Sequence, residues 1–371
     1  MQAETPNQSA PRYLWADFVR NVGILLVILG HVSGMVAVRW GSVPFADWMA
    51  GNIYNVIARA CVPLLFMVSG ALLLPRQESI RDFYRKRFQR VLFPFLIWSA
   101  FYVLTKQSFA GYTFVNAVKT ITMIIITRPA EYHLWFMYEL FGIYLLTPVF
   151  RVLVNKTRDE HLWYFIAIWL LFGPIQRAVE FKLQFELIFD LGYLTGYIGY
   201  FILGYLLTRI HITKPLLWVA ALVYVAAGIF TGYATYFYSS LVDKLVDYYQ
   251  YLLGLNIVLM AASLYILLKA WGEKVFSKPR PRLTIWMLRL STASFGMYLV
   301  HVFILNNLIG GNFYKYLTGL FARVNFPLAS LSPLDGPAIY MIPISTFVVA
   351  LVSWIIIAIL QKVPYLRSLV A

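Results

Sequence analysis

The chain has 371 residues, of which 61% are hydrophobic and only 13% charged, and its mean hydropathy is +0.70. Soluble domains are about one-quarter charged, so the composition excludes a soluble globular protein and predicts an all-α polytopic membrane protein in the lipid bilayer. The net charge of +15 does not call for nucleic acid, because the bases sit in short loops between apolar spans, where positive-inside topology and contacts to anionic lipid or phosphate account for them.

Residues 1–12 are polar, with Pro6 and Pro11, and read as a disordered cytoplasmic tail. Residues 13–371 read as one transmembrane domain. Ten apolar stretches are each close to the roughly 20 residues that cross a bilayer. They fall near 15–38, 52–74, 91–107, 132–154, 161–179, 188–208, 215–237, 250–271, 291–310 and 338–361. No small-residue cleavage site follows the first span, so it is not expected to be a removed signal peptide. The stretch 113–127 is apolar but short, and Lys119 interrupts it. With ten spans and a cytoplasmic N-terminus, the inner loops hold more than twice the Lys and Arg of the outer ones. A further crossing at 113–127 would reverse that excess. Ten spans, both termini cytoplasmic, and an outer-face or re-entrant helix at 113–127 are therefore expected.

The first span carries Asp17, Arg20 and His31 within an otherwise apolar sequence. Ionisable groups at membrane depth cost a few kcal/mol or more each and tend to face a bundle interior or a polar cavity. Eleven residues at 100° each bring Arg20 and His31 to within roughly 20° of one face, about 16 Å apart along the axis. Asp17 lies three residues before Arg20, on the same side. Counting from the outer ends of the spans, His31, Arg59 and Glu139 fall at similar depth. That trio suggests a neutral histidine taking a proton from a hydroxyl, with the charged groups orienting or balancing it. An interhelical Arg59–Glu139 ion pair is the structural alternative.

Arg20 and Ser69 match in depth nearer the cytoplasm. A basic loop at 75–90 lies beneath them, with Arg85, Arg87 and Arg90 suited to a polyphosphate. The same loop suits a topology determinant resting on anionic lipid, and the residues alone leave both open. His133 and Trp135 open the fourth span at the outer interface, as acceptor-side candidates or as an aromatic anchor. Tyr298 and His301, in the ninth span, are second-tier candidates, as is Asp17. His301 alone reads as a packed, hydrogen-bonded residue. Asp190 and Gly192, Gly196, Gly199 and Gly204 read as close helix packing. The single Cys61 excludes an intramolecular disulfide and a cysteine-based metal site, and no metal is expected. Nucleotide-binding, zinc-protease and serine-hydrolase motifs are absent from the sequence.

Together these residues resemble the membrane acyltransferase 3 family, particularly its bacterial members that modify surface polysaccharides. The resemblance rests on Asp17-x-x-Arg20 with His31 eleven residues further on, and on Arg59-Ala-Cys-Val-Pro63 running to Ser69-Gly70. It continues through Arg87-Phe-Gln-Arg90 with Pro94, His133-Leu-Trp135, Gly199 to Gly204, and Tyr298-Leu-Val-His301. It implies transfer of an acyl group, usually acetyl, from cytoplasmic acyl-CoA to a glycan or lipid-linked saccharide hydroxyl outside a bacterial inner membrane. It further implies His31 as base, Arg20 as its motif partner, Arg59 as the family's second-span arginine, and Arg87 and Arg90 on the donor side. Glu139 has no counterpart in the resemblance. Relatives that carry an extracytoplasmic esterase-like domain continue beyond the last span, whereas this sequence reads as a bare membrane catalyst. A transporter or flippase of a glycolipid or anionic substrate is the alternative, though no inverted repeat with paired broken helices is visible. A lipid- or sterol-sensing protein is a third reading. The sequence leaves the oligomeric state open.

Overall fold

A computed structural model describes residues 13–184, 196–309 and 331–370. The N-terminal tail, Asp190 and Gly192 lie outside the described residues, as do Lys315 and Arg323 of the loop before the last span. The described chain is helical, without strands. Its helices are α1 (Leu14–Ala37), α2 (Phe45–Ala58), α3 (Cys61–Leu73), α4 (Ile80–Arg87), α5 (Phe93–Lys106), α6 (Phe114–Thr127) and α7 (Trp135–Lys156). They continue with α8 (Asp159–Leu170), α9 (Gln176–Leu183), α10 (Ile198–Arg209), α11 (Lys214–Val242), α12 (Leu255–Phe276), α13 (Pro281–Ile304) and α14 (Ala338–Leu360). Among the described residues, nine helical stretches are long and apolar enough to cross a membrane. The expected sixth span is seen only as α10, because the residues before it lie outside the description.

The helix α6 has 14 residues and no buried side chain. At 1.5 Å per residue it reaches about 21 Å, short of the roughly 30 Å hydrocarbon core. It leans on α5, and Tyr138 of α7 donates to the Ile125 carbonyl at 2.5 Å. The structure thus places a short apolar helix in the stretch expected to lie on the outer face or to re-enter.

The second span and the loop after it differ from expectation. The span begins at Phe45 rather than 52 and is broken into α2 and α3 at Arg59 and Ala60. Pro63 explains the break: it has no N–H, and its ring would crowd the carbonyl four residues back, which is that of Arg59. The break therefore sets Arg59 at an irregular point within the bundle. The presumed basic loop at 75–90 is largely helix. Ser79 caps α4 by accepting from the Asp82 N–H at 3.1 Å, the serine and acid spaced as in a capping box. α4 then runs through a π-helical turn, Phe88–Leu92, directly into α5.

The core is organised around α1, which packs against α2, α3, α12, α13 and α14. On another side, α3 crosses α10 at backbone contact. A Cβ on Gly70 would lie 1.7 Å from the Phe201 carbonyl oxygen, and one on Gly204 would lie 2.1 Å from that of Met67. Glycine at the crossing permits the close approach that membrane helices use in place of a hydrophobic driving force. This contact holds α3, with Arg59 at its start and Ser69 near its end, firmly beside α1.

Candidate active site

Two cavities lie one above the other along α1. The first, about 380 Å³, is lined by His31, Arg59, Cys61, Tyr132, His133 and Trp135, among others. The second, about 210 Å³, is lined by Arg20, Ser69, Val91, Tyr144 and Ser294, among others. Leu65, Phe136 and Tyr298 belong to both walls, so the two chambers abut across these three side chains. α1 thus contributes Arg20 to one chamber and His31 to the other, as their shared face and axial separation predict.

In the histidine chamber three imidazoles gather from three elements. The ring centroids of His31 and His301 are 5.2 Å apart, those of His133 and His301 5.1 Å, and those of His31 and His133 6.5 Å. His133 comes from the 3-10 turn Tyr132–Leu134 that precedes α7, and His301 from α13. The Tyr298 hydroxyl donates to the His133 carbonyl at 2.6 Å and pins that turn to α13. Tyr132 adds its ring 5.1 Å from His31. On α1's other flank, Asn55 donates to the Gly30 carbonyl at 3.0 Å and to the Ser33 hydroxyl at 3.2 Å, bracing the turn that carries His31. His31 itself makes no hydrogen bond to the described residues and is half-buried, with its ring on the cavity wall. Neither ring nitrogen of the buried His133 makes a well-formed hydrogen bond to the described residues.

Arg59 donates to the Gln250 side chain at 2.8 Å. Gln250 donates in turn to Asn52 at 2.9 Å, and Asn52 to the Gly232 carbonyl at 3.0 Å. This neutral chain aims the guanidinium without quenching its charge, and the Arg59 Nε is buried without a partner among the described residues.

Glu139 does not join this group. It is exposed, lines neither chamber, and makes no ion pair with Arg59 among the described residues. Depth was all that grouped it with Arg59 and His31, and its direction does not bring it to them. The buried side of α7 runs through Phe136, Leu140, Ile143 and Thr147, and Glu139 lies about 100° round from Leu140. His301, a second-tier candidate from the sequence, is packed and hydrogen-bonded as its residue type suggested, and its ring also stands against His31.

At the other end, Arg20 donates to Asp17 and to the Ser291 hydroxyl, both at 3.1 Å, and Ser291 donates to Asp17. Ser69 lines the lower chamber and returns its hydroxyl proton to the Leu65 carbonyl at 2.8 Å. Arg85 on α4 and Arg90 in the π-helical turn after it are exposed, whereas Arg87 turns inward. Its guanidinium sits 4.5 Å from the Phe83 ring centroid and 5.8 Å from that of Tyr144, which itself lines the lower chamber. Glu78 gathers three cations: Lys86 at 2.8 Å, Arg151 at 2.9 Å and Arg87 at 3.8 Å. Burial works against its charged form, but hydrogen bonds from Lys86 and Arg151 and the nearby charge of Arg87 outweigh it and hold the carboxyl down to about 2.

Sequence reasoning missed Gln250, Tyr132, Asn55 and Arg151. Gln250 and Asn55 are neutral and give no charge signal at membrane depth. Arg151, at the end of the fourth expected span, reads from sequence as one more loop base.

The arrangement defines an integral membrane protein with a histidine-lined chamber at one end of a helical bundle and a basic rim at the other. The chain matches the acyltransferase 3 family, described as an acyltransferase domain, over residues 13–360. It belongs to that family and is a membrane acyltransferase. No match was found among curated proteins or among solved structures.

Proposed function

We propose that the protein is an O-acyltransferase of a bacterial inner membrane. It moves an acyl group, acetyl in the simplest case, from cytoplasmic acyl-CoA to a hydroxyl of an extracytoplasmic glycan or lipid-linked saccharide. The observation that carries this reading is His31: its ring meets the chamber without a hydrogen-bond partner, on the same wall as Arg59. A base must keep a lone pair free for the incoming proton, and a cation beside it can meet the charge that develops on the carbonyl oxygen.

Donor and acceptor approach from opposite ends. The exposed Arg85 and Arg90, with Arg87 behind them, form a rim suited to the phosphates of CoA. The chamber of Arg20 and Ser69 then leads the pantetheine arm past Leu65, Phe136 and Tyr298 towards His31. His133 and Trp135 offer polar and stacking contacts to the acceptor. His31 takes the acceptor O–H proton, and the oxygen bonds to the thioester carbon. Negative charge collects on the carbonyl oxygen near Arg59. As that intermediate collapses the C–S bond breaks, and the sulfur leaves with the proton returned by His31.

The test uses purified protein in liposomes with radiolabelled acetyl-CoA and a glycan acceptor. His31→Ala is expected to lower acyl transfer and CoA release by about 10²-fold or more at unchanged protein level. Wild-type turnover in that variant, or substrate flux that does not need His31, refutes the mechanism.

A further inference from the structure

No carboxylate stands behind His31 among the described residues; His301 occupies that place. His301 is fully buried, and its Nδ1 lies 2.7 Å from the carbonyl of Tyr298, one turn earlier on α13. A carbonyl oxygen only accepts, so Nδ1 carries the proton and Nε2 of the neutral ring is left as an acceptor. That tautomer is built into the helix and needs no ligand to set it. Nε2 is buried and has no hydrogen-bond partner among the described residues, so the desolvation of that polar atom goes uncompensated.

Two imidazoles able to donate to it stand at nearly equal distance, His133 at 5.1 Å and His31 at 5.2 Å by ring centroids, and of the two only His31 is half-buried on the chamber wall. An N–H···N contact of about 3 Å between edge-on imidazoles places their centroids about 5 Å apart, and the observed separation is 5.2 Å with the planes 33° apart. His31 makes no hydrogen bond in the described structure, so turning its ring to meet His301 breaks none. The other ionisable groups facing this pair are His133, 5.1 Å from His301 by ring centroids, Tyr298 at 6.0 Å, and Tyr132 and Arg59 on the chamber wall. His133 cannot orient His31 in the same way, since its ring is 6.5 Å from His31.

Resting on the acyl-transfer reading, we propose that His301 is a positioning residue. Its Nε2 accepts the proton of the inner nitrogen of His31 and so holds the lone pair of the outer nitrogen towards the acceptor hydroxyl. The pairing resembles a histidine oriented by a carboxylate, where the wrong tautomer alone abolishes most of the rate. The difference is that the second group is neutral. It adds no negative charge to hold the imidazolium, so His31 readily gives its proton up to the departing sulfur. No net proton passes to His301, which ends the cycle as it began.

Three variants in liposomes test this. His301→Ala is expected to lower kcat about 10²-fold with KM for both substrates within about twofold, since His301 lines neither chamber. His301→Gln places an amide oxygen near the Nε2 position and is expected to recover at least about a tenth of wild-type kcat, as a hydrogen-bond acceptor restores most of the orientation. Added imidazole is expected to raise the rate of His301→Ala in proportion to its concentration until saturation. Thermal unfolding of each variant identifies folded protein. Wild-type kcat in His301→Ala, or folded Ala and Gln variants that are equally inactive with no imidazole response, overturns the inference. If His31→Ala is inactive while His301→Ala is fully active, only the positioning role fails. If His31→Ala is also active, the acyl-transfer reading fails with it.

Discussion

Glu78 is the single acid paired with Lys86, Arg87 and Arg151 among the described residues, and replacing it with Gln removes the anion while keeping the shape. Arg151 is buried, donates from Nε to the Leu73 carbonyl at 2.8 Å, and lies 4.6 Å from the centre of the Phe83 ring. It thereby ties α7, the end of α3 and α4 together through Glu78. Breaking a fully buried pair costs about 3–5 kcal/mol. Here Lys86 is half exposed and water screens part of the cluster, so a loss of about 2 kcal/mol is expected. The same loosening frees α4, so KM for acyl-CoA should rise by about threefold to tenfold with kcat little changed. The pH dependence has a definite sign. The folded carboxyl titrates at about 2, below its ordinary 4.5, so the unfolded chain binds the proton first. The contribution is therefore complete above pH 4.5 and fades as pH falls towards 2. Unfolding in detergent followed from neutral to acid pH should show this loss in the wild type and not in Glu78→Gln. Equal stability of the two proteins at neutral pH, together with an unchanged donor KM, would refute the clamp.

Glu139→Gln should keep acyl transfer within about twofold of wild type, because the side chain lies off the chamber; a loss of about tenfold or more would return it to the chemistry. Gly70→Ala should lower stability by about 1–3 kcal/mol, since the new methyl meets the Phe201 carbonyl. Thermal unfolding reads that loss, and an unchanged midpoint would mean that the α3–α10 crossing yields without cost.

Much of the molecule was legible before its structure. Composition alone required a polytopic helical protein, and helix geometry put Arg20 and His31 on one face at different levels; the structure adds that each lines its own chamber. The balance of Lys and Arg between loops argued against 113–127 as a span, and the order of motifs named the family that the whole-chain match shows. These properties depend on residue type and on spacing within one helix, and both are written along the chain. What the sequence could not supply was direction between helices. Glu139 and Arg59 share a depth, but the rotation of α7 sends the acid outwards. His301 looks like one more packed histidine until α13 is laid against α1. From sequence the second span reads as one stretch through Pro63; the structure breaks it there and meets Arg59 with Gln250, nearly two hundred residues away. The lone pairs, tautomers and unpaired nitrogens of the site arise from contacts between distant segments. Tertiary packing decides them, because a side chain's partners are set by which helix faces it, and no periodicity within its own helix encodes that.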